Sequence, residues 1–443
     1  KVDSGTLTLS GTNTYTGATT ISAGVLRAAN AAALGTVANG TTVANGAALE
    51  LSGGLIFNAE ALTIDGTGIS SGGALRNVSG ANTFQGAITL GAQSTTSINA
   101  DSGTTLTLNA TTAITGNAAG TKTIQFGGVG NTSVSGAIIP ASSTLSLTKV
   151  DSGTLTLSGT NTYTGATTIS AGVLRAANAA ALGTVANGTT VANGAALELS
   201  GGLIFNAEAL TIDGTGISSG GALRNVSGAN TFQGAITLGA QSTTSINADS
   251  GTTLTLNATT AITGNAAGTK TIQFGGVGNT SVSGAIIPAS STLSLTKVDS
   301  GTLTLSGTNT YTGTTTIKAG TLVAGGDAPS NADGVLGHAT SAVLLGDTTG
   351  TADAALLTNG AYTIARAITV QSGSTGTATI GGNSAHSSTF TGNIVLNKDV
   401  ILTAISGGTA TFSTGVISES GGSFALTKTD AGTVILSGTN TYT

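Results

Sequence analysis

Residues 1–148 recur without a single change as residues 149–296, and a third copy opens at Lys297 before it diverges. The phrase KVDSGTLTLSGTNTYTG reads the same from Lys1, Lys149 and Lys297, and a fourth opening, KTDAGTVILSGTNTYT, starts at Lys428. A long tandem repeat limits the fold to one whose unit can be joined to itself. The openings divide the chain into units 1–148, 149–296 and 297–427, with 428–443 beginning a further unit. Lys428 follows Lys297 more closely than Lys297 follows Lys149, and the shortfall predicts the loss of something close to one internal turn. The sequence begins where each repeat begins and stops inside the motif, as expected of an internal stretch of a longer protein.

Within a unit the hydrophobic period is two. Thr6-Leu7-Thr8-Leu9, Ala48-Leu49-Glu50-Leu51, Thr105-Leu106-Thr107-Leu108 and Thr144-Leu145-Ser146-Leu147 all alternate, which reads as short strands with one buried side. Gly, Asn, Asp and Ser punctuate the runs, as in Ser10-Gly11-Thr12-Asn13, Asp65-Gly66 and Ser71-Gly72-Gly73, and these are turn signatures. The Ala-rich piece from Leu26 to Leu34 is the one candidate helix. It is too short to stand alone, so a turn or irregular excursion is equally open.

Short strands at this spacing leave sandwich, propeller and solenoid. Each unit offers only Tyr15, Phe57, Phe84 and Phe126 as aromatic anchors, and no linker separates Thr148 from Lys149. Both facts favour an all-β parallel β-helix (β-solenoid), with about three strands and roughly 20 residues per turn. Leu7, Leu9 and Ile21 are then predicted to point inward and stack on counterparts one turn away. Gly11, Gly17 and Gly24 are predicted corners that need positive φ or close approach. Asn13 is expected to hydrogen-bond its own turn or to form a ladder with other corner Asn residues. Tyr15 recurs as Tyr163, Tyr311 and Tyr442, always in Asn-Thr-Tyr-Thr. It either packs at a corner or stands outward in a sparse aromatic row.

Composition removes several functions. Charged residues are 7% and the net charge is -5, so the basic footprint of a nucleic-acid binder is missing. Without Cys there is no disulfide or thiolate metal site. No apolar run approaches the roughly 18 residues of a membrane span. The nonapeptide calcium repeat is absent, although oxygen ligands for a corner calcium abound. No cofactor is called for. Glu50 and Glu60 are predicted to lie on different faces, whereas carboxylate catalysis needs two acids close together. Their copies Glu198 and Glu208 would give every unit its own active site. His338 and His386 are the only histidines and show no evident Asp or Cys partner nearby. An enzyme is not expected.

The segment from Gly5 to Leu26, GTLTLSGTNTYTGATTISAGVL, closely resembles the autotransporter-associated β-strand repeat, G-x-L-x-L-x-G-x-N-x-Y-x-G-x-T-x-I-x-x-G-x-L. The match returns at Gly153–Leu174 and Gly301–Leu322 and starts again at Gly432. The resemblance implies a right-handed parallel β-helix in the passenger region of a large secreted or surface protein of Gram-negative bacteria, many of which end in an outer-membrane barrel. It implies adhesion and stalk-like spacing and supplies no catalytic residues. The expected role is therefore an extracellular structural rod or stalk whose partners are neighbouring repeats of its own chain. Self-association into a filament or sheath is the alternative, as is an adhesive surface for a glycan or a cell receptor.

Overall fold

Alternating Thr with Leu or Ile leaves each short strand one apolar side and one hydroxyl side, and such a strand is stable only when its apolar side is covered. Here the cover comes from the opposite faces of the same coil, and the strand's own edges are paired with turns above and below. The computed structural model describes residues 1–443 except 118, 265, 266 and 339. The chain divides into two units, Lys1–Leu210 and Thr211–Thr443, so the division falls inside the second copy and at neither repeat boundary. The described strand pairings are parallel in both units. The fold is an all-β parallel β-solenoid of about 17 turns with about 24 residues per turn.

In the first unit one inward column runs through Leu7, Leu26, Leu49, Leu75, Ile98, Phe126, Lys149 and Ile169, each paired in register with the next. The turn is longer than expected because its loops vary in length. Column neighbours can be as close in sequence as Leu7 and Leu26 or as far apart as Ile98 and Phe126. The expected helix is not formed. Val25–Ala28 is a strand, and Asn30 closes a turn after it, accepting the Ala32 N–H on its side chain at 2.9 Å and the Ala33 N–H on its carbonyl at 3.0 Å. The carboxamide of Asn30 competes successfully with helical hydrogen bonding.

Joints between copies lie inside strands. Ser143–Lys149 carries the first joint and pairs on both sides, Phe126 with Lys149 and Lys149 with Ile169. In the second unit Ser291–Lys297 does the same, Phe274 with Lys297 and Lys297 with Ile317.

Each copy also moves the motif to a new face. In the first unit Thr6–Leu9 stacks on Val25–Ala28, in the sheet that reaches Ser143–Lys149 five strands further on. Its counterpart Thr154–Leu157 stacks instead with Asn131–Val134 and Val173–Ala176. Seven turns carry the column from Leu7 to Ile169, whereas the copy of Leu7 is Leu155, so one copy falls short of seven whole turns. In the second unit Thr302–Leu305 stacks with Gly320–Ala324, whereas the fourth opening, Thr433–Leu436, stacks with Thr409–Phe412. The third copy loses one turn. Six register steps separate Leu7 from Lys149, but Leu303 reaches Lys428 in five, through Leu322, Leu356, Ile380 and Leu402.

Identical sequence in two settings shows what stacking contributes. Leu7 in the first turn is 42% exposed, and its copy Leu155, with turns on both sides, is fully buried. Truncating Leu155 to Ala is therefore expected to destabilise the chain by about 2–5 kcal/mol. In a chain that starts at Lys1, Leu7→Ala is expected to lose less than about 1.5 kcal/mol. Hydrogen exchange of the surrounding strands measures both, and equal losses would mean that burial is not supplied by the adjoining turns.

Candidate functional surface

The repeat opening is the most elaborate local structure in the chain. Its Tyr rings are core residues where turns flank them. Tyr163 and Tyr311 are fully buried, so an outward aromatic row is not what they form. Each hydroxyl reaches a Thr four residues on, Tyr163 to Thr167 Oγ1 at 2.6 Å and Tyr311 to Thr315 Oγ1 at 2.7 Å. Burial raises both phenol pKa values, that of Tyr311 to about 12, with the Thr315 hydrogen bond opposing. Tyr15 in the first turn is 39% exposed and keeps the same bond to Thr19 at 2.8 Å. Tyr442 is half-buried. Ile21 and its copy Ile169 are fully buried, and Leu157 is buried where Leu9 is only partly so.

Asn13 departs from expectation. It bonds neither its own turn nor a column of Asn residues. Its copy Asn161 links three turns, accepting the Ile138 N–H at 2.9 Å and donating to the Ala181 carbonyl at 2.6 Å. Asn309 repeats this with Ile286 and Val335, and Asn13 makes the one bond to Ala33 at 2.7 Å. The short motif segment forms no strand, so the amide supplies the cross-turn hydrogen bonds that a strand would have made.

The corner glycines answer to close approach. A Cβ on Gly159 would lie 2.2 Å from the Gly136 carbonyl oxygen, and one on Gly165 would lie 2.2 Å from Ser146 Oγ. Gly11 and Gly17, their counterparts in the first turn, have nothing within 4 Å. Gly24 and its copy Gly172 have φ of 70° and 69°, and a Cβ on Gly172 would fall 2.3 Å from the Asp151 carbonyl oxygen.

That last crowding exposes a feature missed in the sequence. Lys149 is 2% exposed, and its ammonium donates to the carbonyls of Val150, Asp151 (2.7 Å) and Ala171 (3.5 Å). Lys297 repeats the arrangement with Asp299 at 2.6 Å and Ala319 at 3.3 Å. Burial pulls both ammonium groups down to about 8, with Asp151 and Asp299 opposing. A Lys in each opening thus satisfies carbonyls that the corner turns inward.

Two acidic positions also separate. Glu50 belongs to a charge ladder that climbs one turn per residue. Arg27 donates to Glu50 at 2.7 Å, Arg76 stands 3.7 Å from the other oxygen of Glu50, and Arg76 grips Asp101 through two bonds of 2.8 and 2.9 Å. Glu60 is 3% exposed and accepts the Thr41 hydroxyl at 2.5 Å; Glu208 does the same with Thr189. Burial raises both carboxyls, Glu208 to about 7, against the pull of the Thr hydrogen bond. In the third copy the position two before Ile368 is Arg366, where Glu60 and Glu208 stand two before Leu62 and Leu210. Val343 replaces the donor Thr there, and Arg366 donates to the carbonyls of Leu336 (2.7 Å) and Ser341 (2.6 Å).

The third copy differs further on its surface. The connection at residues 192–195 of the second copy becomes 346–353, and that at 177–188 becomes 325–342. The first lengthened loop walls a groove of about 620 Å³ lined by Asp299, Lys318, Asp347 and Asp353 among others. Lys318 lies 3.6 Å from Asp347, and Asp353 accepts the Thr377 N–H and hydroxyl at 2.6 and 2.8 Å, which holds its carboxyl below the usual range. The second loop corrects the reading of His338, whose Nδ1 meets Asp333 at 2.7 Å in an exposed pair. His386 Nδ1 lies 3.2 Å from Ser384 Oγ. Among the described residues no three His, Asp or Glu side chains converge as a metal site, and no helix is long and apolar enough to cross a membrane.

The openings built from these residues match a family model, the passenger-associated-transport-repeat, at residues 1–28, 147–176, 295–324 and 426–443. The chain carries the autotransporter passenger repeat. No curated protein and no solved structure matches it. The passenger repeat and the parallel β-solenoid together fit an autotransporter passenger domain and imply a secreted or surface-exposed protein. The four matched stretches contain the Lys, Tyr and Asn devices described above, and the first of them also contains Arg27, where the charge ladder starts; the rest of that ladder and the buried Glu60 lie between the matches.

The buried ionisable groups can be tested through stability. Replacing Lys149 with Met leaves inward carbonyls without their donor and is expected to lower stability by about 1–3 kcal/mol, measured by urea unfolding. The Glu208 carboxyl has a folded value near 7 against an ordinary 4.5, so the native chain binds more protons than the unfolded one between those values. The stability it contributes is complete below about 4.5 and is lost as pH rises through about 7. Thermal melts across that window are expected to fall less steeply with pH for Glu60→Gln/Glu208→Gln than for the unaltered chain.

Proposed function

We propose that this chain is a structural spacer, a stalk segment of a passenger domain that holds other parts of a large surface protein away from the cell. The observation that carries this is the position of the joints. Thr148-Lys149 and Thr296-Lys297 each lie within a strand paired on both sides, so copies are concatenated without a hinge. A spacer needs length that can be changed by adding or removing units while the contacts at each joint stay the same. The low charge and hydroxyl-rich exterior suit a surface whose role is reach. No chemistry is assigned to it: Glu50 is held in an ion-pair ladder and Glu60 is buried against Thr41, and both positions are accounted for by structure.

Because the two joints have the same sequence, removing residues 149–296 recreates an existing joint. Small-angle scattering on the shortened chain is expected to show a maximum dimension smaller by about 30 Å, close to seven turns at about 4.8 Å each. An unchanged dimension, or particles that flex at the joint, would overturn the spacer reading.

A further inference from the structure

One outer corner of the first copy carries unpaired amides on successive turns. Phe57, Phe84, Leu108 and Val134 pair in register from turn to turn. The residues that follow them, Asn58, Gln85, Asn109 and Ser135, therefore form a column with steps of about 4.8 Å. All four are exposed, and their side chains make no hydrogen bond to other described residues. Other Asn side chains in the copy bond between turns, as Asn13 does to Ala33, Asn39 to Thr16 and Asn131 to Thr154. The free amides border a shallow groove of about 500 Å³, floored by Ala59 and Ala87, with Gln85, Asn109, Thr111 and Thr112 supplying its polar atoms. No charged side chain lines it.

We infer that this corner binds a neutral, hydroxyl-rich polysaccharide chain through the amides of Gln85 and Asn109. Each carboxamide offers two donors and an acceptor oxygen, the complement of hydroxyls that both give and accept. A charged ligand would find no opposite charge there. The groove is open, and amides hold this corner on three successive turns, at Asn58, Gln85 and Asn109, so it addresses an extended chain lying along the column and not a compact molecule. Alanine methyl groups provide an apolar floor for the C–H face of a sugar ring. The same residues return as Asn206, Gln233, Asn257 and Ser283, again exposed. The third copy lacks them, since Ala365, Thr391 and Ser413 follow Ile364, Phe390 and Phe412, the residues paired there. This inference stands apart from the spacer reading, because a chain of either length keeps the corner.

Affinity electrophoresis of the full chain through gels containing dextran, mannan, soluble starch or xyloglucan tests it, with heparin as the charged comparison. At least one neutral polysaccharide is expected to retard the protein independently of salt. Gln85→Ala/Asn109→Ala/Gln233→Ala/Asn257→Ala is expected to weaken that retardation about tenfold, the equivalent of one or two hydrogen bonds, with an unchanged thermal melt. Should that variant melt early, the isosteric Asn109→Asp/Asn257→Asp replaces it, and the same loss is expected. Thr391→Ala/Ser413→Ala in the third copy is expected to bind as the unaltered chain does. Retardation by none of the four, retardation unchanged by the amide substitutions, or retardation by heparin alone overturns the inference.

Discussion

Every strand of this solenoid lies in register on another, so the partners that decide a residue's energy are about one turn away in sequence. The hydrogen bonds between strands are parallel ladder bonds, and inward residues are covered by the inward residues of the adjoining turns, mostly apolar on apolar but with Lys149 set between Phe126 and Ile169. The consequence is visible in residues of the same identity and local sequence. Leu155 and Tyr163, with described turns on both sides, are fully buried, while Leu7 and Tyr15, with a described turn on one side, are 42% and 39% exposed. Local sequence sets which side of a strand faces in, and the adjoining turns determine how far that side is covered.

This division explains what could be read from the sequence and what could not. Period-two alternation in short runs, broken by Gly and Asn, is a local signal, and it identified the strands, the inward Leu column and the coil. The absence of a linker at Thr148-Lys149 was equally readable and placed the joint in continuous structure. The turn length was not, because the short step from Leu7 to Leu26 and the long one from Ile98 to Phe126 belong to one column, and only the pairing reveals them. Asn13 was misread for the same reason. A turn-forming amide looks inward to its own loop in sequence, but here its partners lie in other turns, at Ala181 and Ile138 in the copy that has both neighbours. The charge ladder did leave a trace, since Arg27, Glu50, Arg76 and Asp101 alternate in sign at intervals of about one turn. The Lys of each opening left none, because its partners are main-chain carbonyls.

Several buried polar groups sit at corners where the main chain does not complete its own hydrogen bonding. Lys149 supplies donors to inward carbonyls, Asn161 supplies a donor and an acceptor, and Thr189 supplies the one side-chain donor to Glu208. An unmade bond in such a place costs more than the bond is worth when made. The third copy shows that the requirement is for satisfied hydrogen bonding and not for a particular charge. It replaces Glu with Arg366 and, in the neighbouring turn, the partner Thr with Val343, and the guanidinium turns to carbonyls instead. The two changes belong together, because a Val beside a buried carboxyl would leave it with no donor, and a Thr hydroxyl is not needed by an Arg.

The phase of the copies follows from the same stacking rule. A copy need not contain a whole number of turns; it must end where a face begins. The first copy stops short of seven whole turns, and its successor's opening strand then lies on the next face, beside Asn131–Val134. The new face still covers the strand, since the buried Thr132 stacks on Leu155 and Val134 on Leu157. The third copy obeys the rule while breaking the length. It loses one whole turn, regains some residues in longer loops at 325–342 and 346–353, and still delivers Thr433–Leu436 to a face next to that of Thr302–Leu305. A change of whole turns alters reach without altering phase, whereas a change of loop length alters the surface without altering either. Length and surface are therefore separable in this architecture, which is why a surface corner such as Gln85-Asn109 can be kept or dropped from copy to copy while the coil continues.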